Sequence, residues 1–175
     1  MTSSSDAGPR VEMPAMSDYG VVAETWNPLP WEWARERLIA NKNFWVITVS
    51  AAGRPHSLPV WGAWDPEADR FGFSCSPNAA KARHLAANPS MAVTIDNTVE
   101  CVSVEGSARP MPDEAVDRLV QLYVDKYVEP GEPDAKETMG AFVRSHALFE
   151  FTPVVAYGII EREEDFSTRP TRWRF

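Results

Sequence analysis

From Phe44 the chain changes period. Phe44-Trp45-Val46-Ile47-Thr48-Val49 is β-branched and aromatic throughout, and the turn chemistry of Ala51-Ala52-Gly53-Arg54-Pro55 follows at once. A strand this short needs a partner, and a tight turn makes the next segment that partner. The return strand is predicted over about residues 56–64. Asp65-Pro66-Glu67-Ala68-Asp69 then turns the chain into a third strand at 70–75. Two further strands, 91–96 and 99–108, are joined at Asp96-Asn97, and a last long one runs over 148–161, interrupted by Pro153. Six strands with short connections argue for an antiparallel barrel, because closure removes exposed sheet edges.

Helices are inserted between the hairpins. Trp31, Ala34 and Leu38 recur at helical spacing after Pro30, predicting a short amphipathic helix from Leu29 to about Ala40. Residues 76–89 read as a helix with Asn78 as N-cap and Asn88-Pro89 as the stop. Near Pro112-Asp113 a longer helix begins, with Val116, Leu119, Val120, Tyr123 and Tyr127 in one stripe, and Glu129-Pro130-Gly131 ends it. A second short helix is expected over 133–144. Residues 1–24 mix Ser, Pro, Gly and acids without apolar periodicity and read as a disordered or extended tail, leaving 25–175 as a single domain.

Composition narrows the function. With 17 Lys and Arg against 25 Asp and Glu, the net charge is −8, so nucleic acid is repelled on average and any phosphate site must be local. Seven tryptophans supply large flat surfaces for a core or for a planar ligand. The two cysteines, Cys75 and Cys101, form no CxxC, and the three histidines, His56, His84 and His146, lack metal-ligand spacing. No GxSxG marks a nucleophile, and no glycine-rich fingerprint follows a strand. The opening residues carry no basic segment followed by an apolar stretch, and no apolar run approaches membrane-spanning length, so a cytoplasmic protein with no membrane partner is expected.

Three segments could carry chemistry. In the helix after the third strand, Ala79 and Ala80 are small enough to let an anion approach the N-terminal N–H groups. Lys81 sits in that first turn, where the helix dipole disfavours a cation unless an anion compensates. Lys81, Arg83 and His84 can equally be a solvated face. Strand two contains Pro59, which cannot donate to a ladder, so its main chain beside Trp61 or Trp64 can border a planar ligand or simply be a barrel edge. The ending Arg172-Trp173-Arg174-Phe175 puts guanidinium groups and aromatics on opposite sides. It can clamp an anionic ring, meet a neighbouring subunit, or pack on its own chain.

Three blocks together, Gly53-Arg54-Pro55-His56-Ser57-Leu58-Pro59-Val60-Trp61, Lys81-Ala82-Arg83-His84-Leu85-Ala86-Ala87-Asn88-Pro89 and Pro170-Thr171-Arg172-Trp173-Arg174-Phe175, resemble the pyridoxamine 5′-phosphate oxidase-like split β-barrel proteins. The likeness runs from about Leu29 to Phe175 and is to the flavin/deazaflavin oxidoreductase branch. It implies a six-stranded antiparallel split β-barrel with flanking helices, forming a homodimer with two cofactor sites at the interface. The expected cofactor is the deazaflavin coenzyme F-420, or FMN in its place, and the expected activity is hydride transfer to or from a small conjugated organic substrate. A protein that binds a flavin, deazaflavin or haem-like ligand without turnover is the alternative. By position, Leu58, Pro59, Val60 and Trp61 would border the ring. Ser74, Cys75, Ser76 and Asn78, with Lys81, Arg83 and His84, would hold the phosphate. Arg172 with Trp173 would cover the ring or its substrate. The chain departs from the family's usual Ser-Arg-Lys at Ala79-Ala80-Lys81, which removes one hydroxyl and one guanidinium from the expected phosphate site.

Overall fold

A computed structural model describes residues 8–131 and 133–175. Six strands close into an antiparallel barrel: β2 (Asn43–Val49), β3 (Pro55–Asp65), β4 (Arg70–Cys75), β5 (Ser90–Ile95), β6 (Glu100–Pro110) and β7 (Ala147–Ile160). Around the barrel the order is β2-β3-β4-β7-β6-β5, and β5 pairs back onto β2. Two short strands, β1 (Arg10–Glu12) and β8 (Thr171–Arg174), extend the sheet from β7.

The two-residue alternation of the strands makes the core. In β2, Phe44, Val46 and Thr48 point inward and are fully buried, while Trp45 faces out. Phe71, Phe73, Val93, Val102, Val104 and Phe151 fill the same interior. At Glu105/Gly106 the register of β6 against β7 shifts: Glu105 pairs with Val155 and Gly106 with Pro153, so Val154 is the extra residue. Gly106 is required there, because a Cβ would lie 2.1 Å from the Thr152 carbonyl oxygen. Pro153, the expected interruption, falls at this bulge, where the ladder is already broken.

Five α-helices lie on the barrel. α1 (Trp31–Ala40) buries Ala34 and Leu38. α2 (Ala80–Ala87) follows β4, and α3 (Asp113–Tyr127) and α4 (Pro133–Arg144) pack with Ala63 into a second apolar cluster through Leu119, Tyr123 and Val143. α5 (Glu163–Phe166) leads into β8. No helix of the described residues is long and apolar enough to cross a membrane.

Two expectations change. Asn78 is not the N-cap of α2: Ala79 is, with no side-chain capping bond. The Asn78 N–H is instead taken by the Ser76 hydroxyl, a local turn that delays the helix by one residue. Of the segment expected to be a tail, residues 1–7 lie outside the described residues. The remainder contains β1 and a 3-10 turn at Ser17–Tyr19, and it buries Val21. Glu12 explains the docking, since it meets Arg172 at 2.6 Å and Arg174 at 3.0 Å. Composition hides a pairing whose partners are 160 residues away.

Candidate functional site

The barrel is split between β3 and β4. These strands pair only from Gly62 to Asp65, against Phe73 to Arg70, whereas β3 stays paired to β2 from Pro55 to Trp61. At the parting point stands the hydroxyl of Tyr123, which donates to the Trp61 carbonyl (2.7 Å) and accepts from the Ser74 N–H (3.3 Å). One phenol therefore stands where a ladder bond would be. The Trp61 carbonyl is directed away from β2, and strand alternation sends the main-chain groups of Pro59 and Ser57 to the same open side. Pro59 has no N–H to leave unpaired, which is why a proline is tolerated there.

Tyr127 and Lys126 hold the other side of the same point. The Gly62 N–H donates to the Tyr127 hydroxyl (3.0 Å), which reaches the Lys42 carbonyl (2.6 Å), and the Lys126 ammonium donates to the Asn41 carbonyl (2.7 Å). Burial pushes both phenols up, Tyr127 to about 12, and pulls Lys126 down to about 8. Trp61 stacks on Tyr127, with ring centres 5.1 Å apart and planes 16° apart. Sequence periodicity reads Tyr123 and Tyr127 only as part of a packing stripe and does not single out Lys126. The available signal was chemical: a tyrosine hydroxyl within an apolar stripe needs a polar partner.

Across the split lies α2. Lys81, in its first turn, is 9% exposed and is the one charged side chain among the buried residues described. Among the described residues it has no carboxylate or hydrogen-bond partner. A cation in the first turn of a helix opposes the helix dipole, and an anion at the helix start would offset that cost. The Ala80, Lys81 and Ala82 N–H groups precede the first helical bond, Arg83 N–H to Ala79 carbonyl at 3.3 Å, and can face that anion. The Cys75 thiol is pushed up by burial, with the nearby Lys81 ammonium opposing the shift. At the far end of the slot, His84 Nδ1 lies 3.0 Å from the Thr48 hydroxyl, and its ring packs edge-on to His56 at 5.4 Å.

The expected residues divide into three groups. Leu58, Pro59 and Trp61 are exposed along the split, while Val60 turns its side chain into the core and pairs with Phe44 of β2. Ser74, Ser76, Asn78 and Lys81 lie opposite, from the end of β4 into α2, with His84 beyond them, whereas the Cys75 side chain is buried in the barrel core. Arg83 is exposed, and its guanidinium already donates to the Asn78 carbonyl (2.6 Å), so it braces the turn. Arg172 and Trp173 are placed elsewhere. Trp173 is fully buried beside Trp31, with ring centres 5.5 Å apart, and Arg172 is paired with Glu12. The expectation that Trp173 covers a ring is corrected: its ring already fills the core of its own chain.

The arrangement offers a phosphate-sized anion an unpaired ammonium and free N–H groups, and it offers a flat ring the open edge of β3. Among the described residues no group of three or more His, Cys, Asp or Glu side chains could hold a metal ion.

The fold recurs in known proteins. It matches a conserved hypothetical protein from Mycobacterium tuberculosis at 17% identity and a TM-score of 0.63, covering 86% of this chain and 87% of that one. An F-420 reductase matches at 24% identity and a TM-score of 0.51, covering 70% and 94%. The haem storage protein HutZ from Vibrio cholerae matches at 19% identity and 0.53, covering 70% and 86%. No curated protein sequence matches the chain significantly. The pyridoxamine 5′-phosphate oxidase family model matches residues 31–156, the barrel from the start of α1 well into β7 and with it both walls of the split, and the chain belongs to that family.

Proposed function

We propose that this protein is an oxidoreductase that holds the deazaflavin coenzyme F-420, or FMN in its place, in the split between β3 and α2. The observation that carries the reading is Lys81, a lysine packed to 9% exposure with no ion-pair or hydrogen-bond partner among the described residues, in the first turn of a helix whose N-terminal N–H groups are free. When bound, such a cofactor supplies hydride transfer to or from a small conjugated organic molecule. The chain's own residues bind and orient: Lys81 and the α2 N-terminus take the phosphate, the main chain of Leu58 to Trp61 borders the ring, and Tyr123 keeps the split open. With no side-chain donors at Ala79 and Ala80, the anion would rest on main-chain groups and on Lys81. The preference for the deazaflavin rests on the resemblance of strand β3 and the C-terminal block to that branch, and the F-420 reductase neighbour supports it.

The same reading takes the protein as a homodimer. Trp45 and Val154, 42% and 53% exposed, stand on the outer barrel face with Ile47 and Ala92, an apolar surface that a second copy would cover. Two free cysteines suit a reducing cytoplasm.

The test is a pair of titrations, with FMN and with coenzyme F-420, followed by quenching of tryptophan fluorescence, which Trp61 places beside the slot. Saturation by one of them is expected, and Lys81→Ala should weaken it by about tenfold or more, the worth of a charge-assisted contact, with circular dichroism unchanged. Without ligand, Lys81→Met should unfold at no lower denaturant than wild type, because the side chain has no ion-pair or hydrogen-bond partner to lose among the described residues. Unchanged affinity in Lys81→Ala sinks the assignment. A second reading, a haem-like binder without turnover, is favoured by one observation: His56 Nδ1 is buried without a partner beside His84. Saturable haemin binding lost in His56→Ala, with neither flavin nor deazaflavin binding, would decide for it.

A further inference from the structure

A cavity of 510 Å³ opens on the other side of Trp61, between β3 and the α3–α4 pair. Trp61 and Tyr127 form one wall, and Met139 and Phe142 from α4 form the facing wall. Trp61 is 51% exposed and Phe142 44% exposed, so two large aromatic faces are left open toward one space. Apolar area of that kind, concentrated around a concavity of ligand size, marks a binding site. Its charge is one-sided. Among the described residues Glu129 and Asp134 line it and no Lys or Arg does. A carboxylate or phosphate ligand would be repelled, while a cation gains both from these carboxylates and from the aromatic faces.

The position of the cavity is as informative as its lining. Trp61 belongs to both sites: its carbonyl is held by Tyr123 at the mouth of the split, and its indole walls the cavity. We propose that this cavity binds a planar aromatic molecule that is neutral or cationic, and that this is the organic substrate of the reaction. The substrate role rests on the reading of the split as the cofactor slot; the binding site itself does not. Polarity separates the two sites: the slot presents an ammonium for an anionic cofactor, and the cavity presents carboxylates for a substrate of the opposite character.

Two probes with the same ring and opposite charge test this, 1-naphthylmethylamine and 1-naphthoate, titrated calorimetrically into the full chain. The amine should bind saturably, and the carboxylate about tenfold or more weaker. Phe142→Ala should lower amine affinity by about tenfold, the worth of an aromatic wall, and the exposed Thr138→Trp should do the same by filling the space. Combined Glu129→Gln and Asp134→Asn should narrow the gap between the probes. Absence of saturable amine binding, or equal affinity in wild type, Phe142→Ala and Thr138→Trp, overturns the site. In protein preloaded with FMN or coenzyme F-420, the amine should shift the cofactor's absorption band. A bound cofactor whose spectrum is unmoved at amine saturation overturns the substrate role and leaves the slot standing. Failure of both cofactors to bind overturns the slot and leaves the cavity standing.

Discussion

At its C-terminal end β3 buries Trp64 against Trp31, and Asp69 accepts from the indole N–H of both at 3.1 Å. In its N-terminal half the same strand leaves Leu58 and Trp61 exposed and turns an unpaired edge toward a helix that carries a buried, unpartnered lysine. At the first end the indole N–H groups of Trp31 and Trp64 find their acceptor within one chain. The second has an edge without a ladder, a charge without a counter-charge and an aromatic face without a cover, and each deficit has a definite chemistry. The contrast teaches where to look for function in a barrel: where the bonding of a strand stops being satisfied by its own fold.

Substitutions at the two ends should separate stability from binding. Trp173→Ala, at the sealed end, removes a fully buried ring and should cost about 3–5 kcal/mol in urea unfolding. A small loss there would mean that the aromatic cluster is not what closes the barrel. Tyr123→Phe, at the open end, leaves the Trp61 carbonyl and the Ser74 N–H without their shared partner and should cost about 1–3 kcal/mol. Cofactor affinity should fall with it, because the edge of β3 is no longer held apart from β4. Wild-type stability together with wild-type affinity in this variant would remove the hydroxyl from any role at the split.

Lys126 gives the comparison a pH signature. Its folded pKa, about 8, lies below the usual lysine value of 10.5, so between those limits the unfolded chain binds more protons. Stability should therefore rise as the pH is raised above 8, until the phenols intervene near 10. Tyr127, raised to about 12, contributes stability that is complete below pH 10 and is lost as the pH climbs from there. Unfolding midpoints from pH 7 to 10 should show the rise in wild type and not in Lys126→Met. Asn78→Ala should change stability least, by less than about 0.5 kcal/mol, since Asn78 does not cap α2. A full capping loss of about 1 kcal/mol would restore it as the N-cap.

Much of the fold is legible without coordinates. The strand at 70–75 and the helix at 133–144 fall where turn residues and periodicity put them, and the other predicted strands and helices differ by a residue or two at their ends, whereas β1, α5 and β8 are elements that periodicity did not predict. These are local signals, carried by residues two to four positions apart. The candidate site is legible only in part. Lys81 stands out because its position conflicts with the helix dipole, and β3 because of Pro59. Tyr123 and Tyr127 were hidden inside an ordinary apolar stripe, Lys126 beside it drew no notice, and Trp173 was misread because alternation shows which residues share a side, not which side is covered.

By itself, then, the sequence determined the hairpin order, the antiparallel barrel, the helices between strands and the one lysine whose charge needed an explanation, all through short-range chemistry. Only the tertiary structure decided where the barrel splits, because that depends on a tyrosine about fifty residues along the chain from Ser74 and about sixty from Trp61, whose hydroxyl takes the place of a strand-to-strand bond. It alone also decided that Lys81 is buried rather than solvated, and that the C-terminal tryptophan belongs to the core. Burial is set by what packs from far away in sequence, and no local pattern encodes that.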